Sequence, residues 1–324
     1  MKHNRAKRFW IFWDRFGVVI IFIFVAAIFA SIDGRVIQLA QLVSVLNRSS
    51  WVAVAAAGMT FAICSGGFDL SVGSIMSLSG CVLARLIMDN GLPAWLAVLV
   101  TLAIATCCGL MNGLLITKLK IQPFVATLAT MLIFDGVTQT YTKNIGTFIK
   151  TDQYQQLEWL GRGEILGIPT KIIVVVIVFI LALILYRNTK FGIKVRAVGS
   201  NELSARTSGI KADLTLMMVY VLTAVTAAMA AILYTSTVQS ASPDAGDGFE
   251  LDAITAVVLG GSALSGGKGN LIGTLVGAIL VAFVKMCLNF LGAHEALHVI
   301  VTGAVLLLAL SISGIRMITQ REEK

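Results

Sequence analysis

Charge is what this chain has least of. Only 13% of its 324 residues are Asp, Glu, Lys or Arg, about half the share usual in a soluble domain. Hydrophobic residues make up 57%, and the mean hydropathy is +0.88. That composition excludes a soluble globular protein. No segment alternates apolar and polar residues as a membrane β-barrel requires. Histidine is also scarce, with three in the chain. His294 and His298 stand four apart beside Glu295, but no third ligand lies near them, and solvation at an interface is the reading they support. No Ser, His and Asp set can be assembled, so neither catalytic nor metal-site residues are expected. Cys64, Cys81, Cys107, Cys108 and Cys287 all sit within apolar runs without metal-ligand spacing, and read as small packing residues.

What is present is a series of apolar runs. A hydrocarbon core about 30 Å thick takes roughly 20 residues of helix, so the expectation is an all-α, polytopic transmembrane bundle. The runs fall near 16–32, 51–64, 72–88, 93–116, 123–141, 171–186, 214–234, 253–264, 270–291 and 297–313. Residues 33–50, with Arg35 and Arg48, read as an amphipathic interfacial or re-entrant stretch. The run from Trp51 to Cys64 is short, which would set the following loop inside the membrane.

The net charge of +8 lies in short connections, the positive-inside pattern rather than a nucleic-acid surface. Lys2, Arg5, Lys7 and Arg8 place the start of an uncleaved first span in the cytoplasm. The segment 187–213, with Arg187, Lys190, Lys194, Arg196, Arg206 and Lys211, is the clearest cytoplasmic loop, and the tail with Arg316, Arg321 and Lys324 follows it. Residues 142–170 form a polar connection on the other side, where Leu157, Trp159 and Leu160 predict a short helix on the membrane face. Parity favours ten spans, with N- and C-termini both cytoplasmic. Five spans per half give opposite orientations, so 1–170 and 171–324 read as inverted halves of one transmembrane domain. Phe68-Asp69-Leu70 and its echo Phe249-Glu250-Leu251 fit that relation.

The first break, Ser65-Gly66-Gly67-Phe68-Asp69-Leu70-Ser71-Val72-Gly73-Ser74, puts glycines, hydroxyls and an acid between apolar runs. Irregular backbone survives at membrane depth only where protein covers it or where it lines a watery cavity. A plain turn in which Asp69 or Ser71 caps the next helix is the alternative, and the two are compatible. Gly66, Gly67, Phe68, Asp69, Ser71 and Gly73 are therefore translocation-pathway candidates, with Glu250 and Asp252 from the polar loop 235–252. Arg85 and Asp89, four apart, read as snorkelling to the interface.

The second break, Gly260 to Gly269, invites comparison with a phosphate-binding loop. Gly261 and Gly266 have the right separation, but Gly267 stands where the lysine must be, and Gly269 follows Lys268 in place of Ser or Thr. Close packing and sharp turning explain its glycines. The segment Ala197 to Ile210 predicts a short cytoplasmic helix: Ser200 or Asn201 caps it, Glu202 suits its N-terminus, and Gly209 stops it. Apolar and polar residues interleave there, as in a docking lever rather than a linker.

Together these motifs resemble the signature of ribose-type sugar ABC importer permeases. They are Gly58-Met59-Thr60-Phe61, the 65–74 break, Ala197-Val198-Gly199-Ser200-Asn201 with Ala205 to Ile210, and Glu250-Leu251-Asp252-Ala253-Ile254 through Gly260-Gly261, Ser265-Gly266-Gly267 and Gly273-Thr274. The likeness runs along essentially the whole chain. Phe68 replaces a common isoleucine, and Ser200 a usual second glycine.

The resemblance implies a bacterial cytoplasmic (inner) membrane subunit that imports a monosaccharide. Its partners would be a second permease subunit, cytoplasmic ATP-binding cassette ATPases carrying the ATP and Mg, and an extracytoplasmic sugar-binding protein. It also makes 199–209 the coupling helix, with Gly199, Ser200, Asn201, Glu202, Ser204, Ala205, Arg206 and Gly209 facing the ATPase. The alternative is an ion-coupled secondary transporter of a small polar solute, for which Asp69 and Asp135 are the available deep acids. Purified alone, the chain should hydrolyse no ATP. Turnover that persists after every ATPase subunit is removed would sink the importer-subunit expectation.

Overall fold

The apolar runs fold as helices whose ends follow local chemistry. Pro123 opens one, Asn201 and Asn270 cap two others through side-chain Oδ1 atoms, and Gly248 turns the chain at φ 72° before another. The computed structural model describes residues 2–149 and 155–321. Lys324 lies outside them, as do part of the 142–170 connection and the side chains of Lys2, Arg5, Lys7, Arg8, Glu295, Arg316 and Arg321.

The helices are α1 (Lys2–Ile32), α2 (Leu39–Cys64), α3 (Val72–Met88), α4 (Ala94–Thr117), α5 (Pro123–Thr142), α6 (Gln155–Arg162) and α7 (Thr170–Asn188). After them come α8 (Lys190–Ser200), α9 (Glu202–Thr207), α10 (Ala212–Val238), α11 (Phe249–Leu259), α12 (Leu271–Phe290) and α13 (Glu295–Arg321). Two small antiparallel pairs trim the connections: β1 (Thr147–Phe148) with β4 (Ser240–Ala241), and β2 (Glu164–Ile165) with β3 (Ile168–Pro169). Five helices, α2, α4, α7, α10 and α12, are long and apolar enough to cross a membrane; Gly17–Ile32, Val72–Met88 and Ala296–Leu308 are shorter apolar helices.

Two expected boundaries are corrected. Residues 39–50 are not a separate interfacial or re-entrant piece, because α2 is continuous for 26 residues, about 39 Å at 1.5 Å per residue. The run ending at Cys64 is therefore not short, and the Asp69 loop lies at the end of a full-length helix. The polar residues that hid this are accommodated locally. Ser49 and Ser50 donate to the carbonyls of Leu46 and Asn47, and Arg48 borders an open cleft. The second correction concerns α11, which starts at Phe249 and not near 253, so Glu250 and Asp252 belong to its first turn. Acids suit that position, where the helix dipole is positive. At 11 residues, about 16 Å, α11 is the short element.

The packing has an internal correspondence. α10 packs on α4 as α2 packs on α12; α3 packs on α5 as α11 packs on α13; α3 packs on α10 as α11 packs on α2. Exchanging α2–α5 for α10–α13 reproduces the same neighbours. At the crossing of α2 and α10, Gly58 leaves no room for a Cβ against Thr223 and Thr226, the close approach that small residues permit in lipid.

One end of the bundle gathers the breaks at 65–71 and 260–270 with Lys118, Lys120, Lys190, Lys194 and Lys211. The other mixes Asp89, Glu158, Glu164, Asp244 and Asp247 with Arg85, Lys143, Arg162 and Lys171, and is acidic only by contrast. At that acidic end Arg85 donates to the carbonyls of Tyr141 and Thr142, at 2.9 and 2.8 Å, closing the end of α5. The helix predicted around Trp159 exists as α6. Arg162 bonds the Thr237 carbonyl at the end of α10, and Trp159 remains exposed. Single cysteines at Lys194 and Glu158, in a cysteine-free background, should label from opposite faces of the membrane. Labelling of both from outside would overturn the assignment of the two ends.

Candidate functional site

At the basic end three glycine-containing segments that are far apart in sequence meet. The Gly267 amide donates to the Cys64 carbonyl at 2.8 Å, and Gly199 lies so close to that carbonyl that a Cβ would overlap it. Gly266 and Gly267 adopt φ of 81° and 77° and pack on Gly199 and Ser200. The break after α2, the end of α8 and the 265–269 turn are thereby joined backbone to backbone. Gly66 faces Gly199 across the same junction, and Gly67 sits against the Tyr220 hydroxyl and Pro123. Tyr186 completes the junction by accepting from the Gly269 amide at 2.7 Å.

Asp69 is fully buried. One carboxylate oxygen accepts from the Ser71 amide (3.1 Å) and hydroxyl (2.6 Å), and the other from the Thr223 hydroxyl of α10 (2.5 Å). Ser71 accepts in turn from Asn112 of α4 at 2.8 Å, and Asn112 accepts from Thr130 of α5 at 2.6 Å. The Leu70 amide donates to Thr127 of α5. A loop acid thus ties four helices together through hydroxyl and amide groups, and Phe68 and Leu70 pack half-buried on the core beside it. Thr223, Asn112 and Thr130 were not among the sequence candidates. Mid-span Thr and Asn in an otherwise apolar run are the only signal they give.

The remaining pathway candidates are dispersed. Gly73 abuts the Glu250 carboxylate and the Gly246 carbonyl, and Ser77 accepts from the Gly246 amide at 2.8 Å, so the 239–248 loop reaches deep between α3 and α11. Asp252 is separate, paired with Lys285 of α12 at an open cleft of about 670 Å³ that Arg48, Asp247 and His298 also border. Asp69, Glu250 and Asp252 therefore do not share one site. Among the described residues no three His, Cys, Asp or Glu side chains gather as a metal site requires.

The segment predicted as a lever forms two helices, α8 and α9. Asn201 caps α9 through the Ser204 amide at 2.8 Å, Gly209 follows its end at φ 82°, and Ser200 donates back to the Arg196 carbonyl. Arg206 pairs with Glu202 at 2.7 Å and with Asp213 of α10, and these bonds, Asp213 first, hold its guanidinium pKa above the ordinary value. Ala205 is turned inward, buried on Val198, Ala212 and Leu216, and so does not face out as expected. The outward residue is Leu203, 73% exposed at the tip, which was not among the candidates.

If Asp69 is a tether, Asp69→Ala should lower stability by about 1–3 kcal/mol, the cost of leaving buried donors unpaired, and Thr223→Val should cost less. Thermal unfolding in detergent micelles checks this. Full stability together with lost transport would return Asp69 to the translocation pathway.

Residues 41–310 match the family model described as the permease component of branched-chain amino acid transport systems. The chain is 42% identical to the ribose import permease protein RbsC of Bacillus subtilis, over 82% of this chain and 83% of that protein. It is 38% identical to RbsC of Escherichia coli K12 over 89% and 90%, and 37% identical to the galactofuranose transporter permease protein YtfT of the same strain over 89% and 83%. No solved structure matches. With a family match over most of its length and relatives at this identity and coverage, the chain belongs to the family of branched-chain amino acid transport system permease components.

Proposed function

We propose that this chain is the membrane-spanning subunit of an ATP-driven importer for a monosaccharide or a closely related sugar, in a bacterial inner membrane. The relatives named as ribose and galactofuranose permeases favour a sugar over the amino acids of the family's description. The basic end is cytoplasmic, as are both termini. Residues 1–170 and 171–324 are inverted halves, a reading supported by the exchange of helix neighbours between α2–α5 and α10–α13.

The observation that carries the coupling role is α9 itself. A capped helix fixed to the basic end holds Leu203 outward and Ala205 inward, the arrangement of a lever with one apolar contact for a partner. That partner is a cytoplasmic ATP-binding cassette ATPase, which carries the ATP and Mg; this chain contributes no phosphate loop. Residues 187–213 form the coupling loop. Gly199 and Ser200 connect it to the two glycine breaks, so displacement of α9 reaches the ends of α2 and α12. A sugar-binding protein delivers substrate at the acidic end.

A second permease subunit completes the pathway. α5 supports this: exposed Gly136, Gln139 and Thr140 interrupt its apolar outer face, whereas the mid-helix outer faces of α4 and α7 are apolar. The Asp252–Lys285 pair beside an open cleft favours one rival, an ion-coupled secondary transporter, whose uptake would follow an ion gradient and need no ATPase.

Vesicles containing the full complex, offered radiolabelled D-ribose, D-galactose and D-fructose, separate the two readings. Leu203→Asp should weaken ATPase binding by about tenfold or more, since burying a leucine is worth at least 1.4 kcal/mol. Arg206→Glu should lower uptake and stimulated hydrolysis together while the chain stays folded, because an exposed pair contributes only about 0.3–0.5 kcal/mol. Ala205→Trp should displace α9 from α10. Normal uptake from all three at normal expression would make α9 a solvated connection and raise the secondary-transporter reading.

A further inference from the structure

Asp213 stands in the first turn of α10 and receives two cations on one carboxylate oxygen. Arg206 of α9 pairs with it directly, and Lys120 of the α4–α5 turn donates to the same carboxylate oxygen at 3.2 Å. Between α9 and that turn lies a cleft of about 260 Å³, bordered by Gly66, Gly67, Lys120, Glu202, Arg206 and Asp213. Asp213 bridges it. Residues 118–122 are a stiff connection. Lys120 takes φ 56°, the Ile121 amide bonds back to the Leu115 carbonyl, and Pro123 starts α5 at once. A pull on the Lys120 side chain is thus a pull on the N-terminus of α5, the helix whose outer face carries Gly136, Gln139 and Thr140.

We infer that Asp213 is the positioning residue that passes movement of α9 through Lys120 to the N-terminus of α5, so that nucleotide-driven displacement of the coupling loop reaches the pathway by this bridge as well as by the glycine junction. This rests on the importer reading above. The chemistry suits a joint that opens and closes. The three side chains are one-third to two-thirds exposed, so each pair is weak enough to break and re-form in a cycle. A buried, desolvated pair would lock the cleft instead.

The test needs no knowledge of the sugar. In the full complex, on a cysteine-free background, a cysteine at Gln122 is modified with a positively charged methanethiosulfonate reagent. Gln122 is exposed and lines the cleft. Rates are compared between the nucleotide-free and the ATP-vanadate-trapped complex. Trapping should change the rate in the otherwise unaltered complex. Asp213→Asn and Lys120→Met should each shrink that change by about two- to fivefold, the factor an exposed pair is worth, and the double variant no further than either alone. Asp213→Glu and Lys120→Arg should preserve it.

An undiminished response in Asp213→Asn overturns the joint. So does a response that Asp213→Asn shrinks and Lys120→Met leaves intact, since Asp213 would then only hold α9 in place. No response to trapping in the unaltered complex overturns it too. Failure of the chain to co-purify with any ATPase, measured separately, overturns the importer reading and the joint with it.

Discussion

The carbonyl of Cys64 is where the fold is closed. A helix leaves its last carbonyls without partners, and in a medium without water those groups must find protein donors. Here the donor is the Gly267 amide, from a turn more than two hundred residues later, and Gly199 is the residue small enough to lie across the contact. No side chain could serve as well. Backbone can reach the Cys64 carbonyl from two other segments because each is glycine where it approaches, Gly199 from one and Gly267 from the other. The requirement explains the glycines at 199, 266 and 267, and why the end of α8 is held to the membrane body instead of hanging from it; Gly260 serves a separate close contact, with Gly273 and Thr274 of α12.

The same constraint decides what the buried acid does. A carboxylate as deep as Asp69 needs donors on both oxygens, and Ser71 and Thr223 supply them. Once so engaged, it offers little to a passing solute and a good deal to the relative positions of α3, α4, α5 and α10. Asp252 answers the problem differently, by pairing with Lys285 at a cleft. Two acids that look alike in sequence thus differ in consequence. One is sealed among hydroxyls, and the other sits beside a charge at the edge of open space.

Much of this was legible in the sequence, and the failures have physical causes. Composition gave the membrane class. Asn201, Glu202 and Gly209 foretold a short capped helix because capping is local chemistry. The extent of α2 was missed because Arg48, Ser49 and Ser50 read as surface, although serines satisfy themselves on their own helix and Arg48 reaches a cleft. The start of α11 was missed because acids read as loop when they were complementing a helix dipole. Ala205 was read as facing outward and Leu203 was passed over: a helix of six residues has too short a period to declare its buried side. Asp213, Lys120, Thr223 and Asn112 matter through partners far away in sequence, and spacing cannot disclose those.

Strength is distributed accordingly. The centre, where α2 and α10 cross at Gly58 and Thr223 grips Asp69, is built from close packing and buried hydrogen bonds, whose loss is costly. At the basic periphery α9 rests on α10 by the small buried patch around Ala205, and Asp213 links it to α10 and to the α4–α5 turn by part-exposed ion pairs worth little each. Under the importer function proposed above, a subunit driven from outside needs that gradient. If the periphery were as tightly held as the centre, the proposed ATPase partner could not move it. If the centre were as loose as the periphery, movement of α9 would dissipate in local rearrangement instead of displacing whole helices.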